Sequence, residues 1–253
     1  MKKFSKARRT IQLVSLLLFP ITLNYMSPYL IVQGSFEGVL SGSAMLFLGL
    51  FFSALFLARS FCSWICPAGA LQDVCAAIEP KATGRKQNAV KYFIFVVWLA
   101  AIIAGFINAG GPSRIDVVFM TDGGISVNAP AGYIIYFFVI FLIVILALTL
   151  GRRSFCHSTC WMAPFLVLGT LLKEKLRLPA RRLIAEPSRC IGCKACAEHC
   201  PMSLPVNDMV SDNRLFHTEC ILCGKCEEVC PKQVLKVSFS TAPGVRIGKS
   251  AQA

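Results

Sequence analysis

Two cysteine runs constrain this chain more than anything else in it. Cys190-Ile-Gly-Cys193-Lys-Ala-Cys196-Ala-Glu-His-Cys200-Pro201 is followed by Cys220-Ile-Leu-Cys223-Gly-Lys-Cys226-Glu-Glu-Val-Cys230-Pro231, the same spacing without a gap. A cubic [4Fe–4S] centre needs four thiolates at the corners of a tetrahedron. Two-residue spacing wraps the backbone around three corners, and in such runs the fourth cysteine ligates the other centre. The spacing predicts one cluster on Cys190, Cys193, Cys196 and Cys230, and a second on Cys220, Cys223, Cys226 and Cys200. Pro201 and Pro231 turn the chain away, while Gly192 and Gly224 permit close backbone approach. A pair of four-cysteine zinc sites is the competing reading, but zinc has no use for the fourth cysteine and proline at this spacing. The stretch 202–219 offers no ligand, and Lys194, Lys225, Glu227 and Glu228 read as a solvated face. His199 and His217 sit beside ligands, where they can only tune them.

The rest of the chain is a different material. Of 253 residues 55% are hydrophobic and only 15% charged, against about 45–50% and about 25% in soluble domains. The apolar residues fall into four blocks, 11–32, 39–58, 92–107 and 132–150. A bilayer core needs roughly 20 helical residues. The second and fourth blocks suffice; the third extends through Val90 and Ala109; the first is interrupted by Pro20 and Pro28, where a helix kinks or ends. Residues 161–172 are too few to cross and are expected to lie at the interface.

Lys and Arg cluster in the first ten residues, in 81–91 and after 150; the link 33–38 has none and the link 110–130 only Arg114. Positive charge stays inside, so both termini and the link between spans two and three are expected in the cytoplasm, with the chain multi-pass in a bacterial inner membrane. The net charge of +13 then records topology and calls for no nucleic acid. The basic start followed by an apolar run resembles a signal peptide, but without a small-x-small cleavage site it reads as an uncleaved anchor.

A repeat lies inside this part. Arg59-Ser60-Phe61-Cys62-x-x-x-Cys66 recurs as Arg153-Ser154-Phe155-Cys156-x-x-x-Cys160, each directly after an even-numbered span. The expected fold is an all-α polytopic membrane domain over 1–175, with four transmembrane helices in two repeated hairpins. A small α+β two-cluster ferredoxin-like domain over 176–240 and a loose tail over 241–253 follow it. On a helix, C-x3-C puts both sulfurs on one face. If the hairpins pack about a pseudo-twofold, Cys62, Cys66, Cys156 and Cys160 converge. Three readings stand open for them: a third iron–sulfur cluster, a redox dithiol relay, or inert buried thiols. Cys75 has no counterpart and reads as packing. No histidine lies inside a span, which excludes a bis-histidine haem, and no flavin or dinucleotide fingerprint is present. His157, between Cys156 and Cys160, reads as an interfacial hydrogen-bonding residue, with a proton acceptor as the alternative.

Together these motifs resemble the NapH-type membrane polyferredoxins, quinol-dehydrogenase membrane components; the NosR/NirI and CcoG-type proteins are similar. The likeness runs from Arg8 to about Val237 and includes Arg9 and Gln12. It departs at Trp161, where the family usually has proline after the second cysteine. The resemblance implies a quinol-oxidising electron-transfer subunit of an oxidoreductase complex. Quinol would be the diffusible substrate, membrane lipid the surroundings, and a further redox subunit (an iron–sulfur protein, cytochrome or terminal reductase) the partner. The alternative that it implies is a copper reductase serving oxidase assembly. The residues agree with the first: two adjacent clusters make a wire, and nothing in the chain is arranged for hydrolysis or group transfer.

Overall fold

The computed structural model describes residues 2–84 and 87–241. The chain opens with α1 (Lys2–Leu17), a short α2 (Phe19–Thr22), a 3-10 turn at Asn24–Met26 and α3 (Pro28–Phe36). Pro20 and Pro28 each lie in the first turn of a new helix. Proline has no N–H to give to the preceding turn and is tolerated only at a helix start. The first apolar block is therefore not one continuous helix but three, α1, the short α2 and α3, the last two joined through the turn at Asn24–Met26.

Strand β1 (Val39–Ser41) leads into α4 (Gly42–Leu57), where the Ser41 hydroxyl caps the helix by accepting from the Ala44 N–H at 3.3 Å. Two short elements follow, α5 (Ser60–Trp64) and α6 (Pro67–Ile78). The second half runs α7 (Asn88–Asn108), β2 (Arg114–Asp116), α8 (Pro130–Leu150), α9 (Ser154–Ser158) and α10 (Met162–Lys175). Helices α7 and α8, 21 residues each, are long and apolar enough to cross a membrane. Their apolar side chains point outward, with Phe93 72% and Ile134 73% exposed. A helix at the centre of a soluble core would hide these residues.

Helix α10 packs along α4, and α6 packs against α1 and α8. The helix after each cysteine pair therefore lies on the long helix of the other half. At the α10–α4 crossing a Cβ on Gly169 would stand 2.6 Å from the Phe51 carbonyl oxygen, so only glycine lets the helices come this close. Within α10, Ala163 and Leu166 are completely buried. At the opposite end, β1 and β2 pair in parallel, Val39 with Arg114 through Ser41 with Asp116. That pairing brings the two basic-poor links to one end and leaves both cysteine pairs at the other.

The C-terminal part contains β3 (Ala180–Ala185), α11 (Ala195–Glu198), α12 (Val206–Ser211), α13 (Lys225–Val229) and β4 (Leu235–Ser240). Strands β3 and β4 are antiparallel, Ala180 opposite Ser240 and Ala185 opposite Leu235. One apolar core runs from Phe47 and Leu166 through Cys62 and Cys156 to Met202, Ile221 and Leu235. The two expected domains therefore share their interior. Of the expected tail, all but its first residue, Thr241, lies outside the described residues.

Candidate redox centres

The eight cysteines of the two runs separate around two cavities. Cys190, Cys193, Cys196 and Cys230 line one; Cys200, Cys220, Cys223 and Cys226 line the other. Each set takes three cysteines from one run and the last from the other. The backbone of the runs is equivalent as well. Gly192 (φ 69°) matches Leu222 (φ 48°), Lys194 (φ 58°) matches Gly224 (φ 75°), and Ser203 (φ 51°) matches Gln233 (φ 49°). Each run thus turns through the left-handed region at the same positions and spends its glycine at a different one of them, accepting a less favourable residue at the other. The thiols of each set stand apart around their cavity: among the described residues no three Cys, His, Asp or Glu side chains close on a single metal ion. Four thiols around each cavity are the donor set that a [4Fe–4S] cube takes. Burial pushes the Cys200 thiol up to about 12 and Cys220 to about 11, so iron must displace protons to bind there.

The sets differ in setting. Cys190 and Cys193 are exposed beside an exposed Ile191, whereas Cys200 and Cys223 are buried on the side facing the helices.

At the cysteine end of α4 and α8, Cys62, Cys66, Cys156 and Cys160 are all buried. The Cys66 thiol has the other three as electrostatic neighbours, and Cys62 and Cys160 each face Cys156. The structure therefore brings the two C-x3-C pairs together. Burial pushes the Cys160 thiol up to about 12. Trp161 does not disturb this arrangement: its ring packs on Phe155 at 5.9 Å and its indole N–H donates to the Met26 carbonyl at 3.0 Å.

The two repeat arginines are the feature that motif reading passed over. Arg59 and Arg153 are both 0% exposed. A buried charge is costly unless paired, and each finds an acid far away in sequence. Arg153 makes a two-pronged bond to Asp73 of α6, Nε at 2.8 Å and Nη2 at 2.6 Å, and also donates to the Cys62 carbonyl at 2.7 Å. Arg59 Nη1 donates to Glu219 at 2.7 Å, and the same carboxylate accepts from buried Lys91 at 2.6 Å. Arg59 and Lys91 hold the Glu219 carboxyl well below the usual range against the opposing effect of burial. Arg59 has Cys62, Cys156 and Cys220 within electrostatic reach, and its Nε and Nη2 have no hydrogen-bond partner among the described residues. Gln72 of α6 adds a cross-link between halves: its amide donates toward the Cys156 sulfur at 3.2 Å and its oxygen accepts from the Phe155 N–H at 3.0 Å.

The signal for Gln72 and Asp73 was two polar residues side by side in the otherwise apolar stretch 67–78; Glu219 had none beyond adjacency to Cys220. His157 bonds to Asn88 at 2.9 Å, and burial lowers its imidazole to about 4, so it is a neutral hydrogen-bonding group. His217 accepts from the Glu219 N–H at 3.1 Å. Glu227 is not simply solvated, since it accepts from the Val237 N–H at 2.9 Å and ties α13 to β4.

Residues 40–86 and 131–179 each match the 4Fe-4S binding domain family, and residues 189–235 match the 4Fe-4S dicluster domain family. The chain is 24% identical over 222 residues to the putative electron transport protein YccM of Escherichia coli, covering 80% of this chain and 57% of YccM. It is 26% identical over 214 residues to the ferredoxin-type protein NapH of Haemophilus influenzae, covering 79% and 68%. The regulatory protein NosR of Stutzerimonas stutzeri is 25% identical over 192 residues, 70% of this chain and 25% of NosR. No solved structure matches.

Proposed function

Because the chain is a relative of the NapH-type polyferredoxins, we propose that it is a membrane-bound iron–sulfur protein that carries electrons between the quinol pool and a redox partner. The finer reading is a chain of three cluster sites at the cytoplasmic end of four transmembrane helices arranged as two repeats. Cys62, Cys66, Cys156 and Cys160 form the first site. Cys200, Cys220, Cys223 and Cys226 form the second, and Cys190, Cys193, Cys196 and Cys230 the third. When bound, the clusters supply one-electron transfer.

The observation that carries this reading is the position of Arg59. One buried guanidinium has thiols of both the helix-end quartet and the second set as neighbours, and its ion pair with Glu219 locks the segment bearing Cys220 onto the helices. A cube held by four thiolates is negatively charged, and the buried group of Arg59, Lys91 and Glu219, two cations on one carboxylate, leaves one positive charge beside the quartet to offset it. The order of burial sets the order of the relay: all four cysteines of the quartet are buried, the second set has Cys200 and Cys223 buried with Cys220 and Cys226 partly so, and the third site opens to solution at Cys190 and Cys193. The partner docks there.

The test is anaerobic addition of a quinol analogue to the purified protein in nanodiscs. Bleaching of the iron–sulfur absorbance and a reduced-cluster EPR signal are expected; clusters that respond to dithionite but not to quinol would overturn the reading. With four irons per cube, iron analysis near twelve per chain supports three clusters and about eight removes the quartet from the relay.

A further inference from the structure

Gln72 of α6 is fully buried beside the helix-end quartet. Its oxygen accepts from the Phe155 N–H at 3.0 Å, and its nitrogen donates to the Ala68 carbonyl at 3.0 Å and toward the Cys156 sulfur at 3.2 Å. These neighbours decide which end of the amide is which. Turned over, it would set its oxygen against the Ala68 carbonyl and its own N–H groups against the Phe155 N–H. An N–H therefore points at a cysteine sulfur from across the seam between the two halves. Next to it, Asp73 grips Arg153 with both carboxylate oxygens and holds the segment bearing Cys156 against α6. The other half has no such donor. Counted from its cysteines, the counterpart of Gln72 is Leu166 of α10, which is equally buried and has no hydrogen to give.

We propose that Gln72 sets the reduction potential of the quartet's cluster, raising it through the N–H···S bond to Cys156. The inference rests on the reading above that Cys62, Cys66, Cys156 and Cys160 hold a cluster. A neutral thiol is a weak acceptor, and a buried N–H facing only a weak acceptor is poorly satisfied. A thiolate bound to a cube carries negative charge, and a bond to a charged acceptor is roughly twice as strong. Reduction brings one electron, from the quinol pool or from dithionite, and part of the added charge spreads onto the ligand sulfurs. A donor aimed at one of them stabilises the reduced cube more than the oxidised one, and hydrogen bonds to sulfur are among the terms that set such potentials. The amide keeps both of its hydrogens, so no proton moves with the electron. A cross-link between the halves needs only the bond to Phe155; the bond to the sulfur is what acts on the electron.

Gln72→Met tests this by keeping the length of the side chain and removing its donor. Full-length protein in nanodiscs is titrated with dithionite, and EPR follows the signal that Cys62→Ser abolishes. At the midpoint of the unsubstituted protein, the ratio of reduced to oxidised quartet cluster should fall about tenfold in the variant, about 59 mV for one electron. Iron should stay near twelve per chain, about four for each cube, and the other two clusters should keep their midpoints. An unshifted midpoint with iron retained overturns the role of Gln72, as does a shift shared by all three clusters; a cross-link alone would change stability and leave the potential where it was. If Gln72→Met loses its iron, the unsubstituted protein decides. With glutamine isotope-labelled at its side-chain nitrogen, pulsed EPR should show a label-dependent nitrogen coupling to the same signal, and its absence overturns the bond. Iron near eight in the unsubstituted protein defeats the three-cluster reading and the inference with it, whereas an unshifted midpoint at about twelve irons defeats only the inference.

Discussion

Glu219 is the single counter-charge for two buried cations, Arg59 at 2.7 Å and Lys91 at 2.6 Å. Glu219→Gln removes it and leaves both uncompensated; breaking such a pair costs about 3–5 kcal/mol. A clearly lowered unfolding temperature is expected, measured by tryptophan fluorescence at fixed pH, together with loss of iron from the site of Cys220. Gly69 is held by a different constraint. A Cβ there would stand 2.7 Å from both Arg153 Nη1 and the Cys62 carbonyl oxygen, two groups bonded to each other. Gly69→Ala should therefore destabilise by about 1–3 kcal/mol, as overpacking does, read in the same melt. The cysteines were legible because ligation imposes spacing along the chain. Glu219 was not, because its partner Arg59 lies 160 residues away and a carboxylate beside a ligand looks like any solvated acid until the fold pairs it.

At the scale of elements, the repeat was readable as a motif while its packing was not. The sequence places C-x3-C after α4 and after α8, but nothing local says that α6 will lie on α8 and α10 on α4. The length of 161–172 rules out a span but does not show that the segment packs along α4; Gly169, which permits the close crossing, was the cue to that. The first apolar block was legible in composition but not in continuity, since Pro20 and Pro28 decide where its helices restart. Convergence of the two pairs leads to a direct count. Cys62→Ser should lower iron from about twelve to about eight per chain, four for each cube, while Cys75→Ser, buried in α6 away from the quartet, should leave it unchanged. An unchanged count in both variants would mean that the quartet holds no iron.

For the whole molecule, the β1–β2 pairing and the cysteine sets mark opposite ends, and we propose from the distribution of Lys and Arg that the cysteine end is the cytoplasmic one. A fluorescent-protein fusion at the C-terminus should fluoresce, and alkaline phosphatase inserted near Asp122 should be active; the reverse pattern would invert the chain. The graded exposure of the sets predicts an order of loss. A bulky iron chelator should strip the site of Cys190 and Cys193 before that of Cys200 and Cys223, followed by EPR over time. The mutual embrace of the two halves also has a meaning in time. When the ribosome has made α6, the helix on which it will lie, α8, does not yet exist. Arg59 in turn waits for Glu219, near the end of the described chain, before its charge is matched. The buried charges at that end are therefore matched only once residue 219 has been made, so the two halves and the C-terminal part reach their final packing together rather than in sequence order.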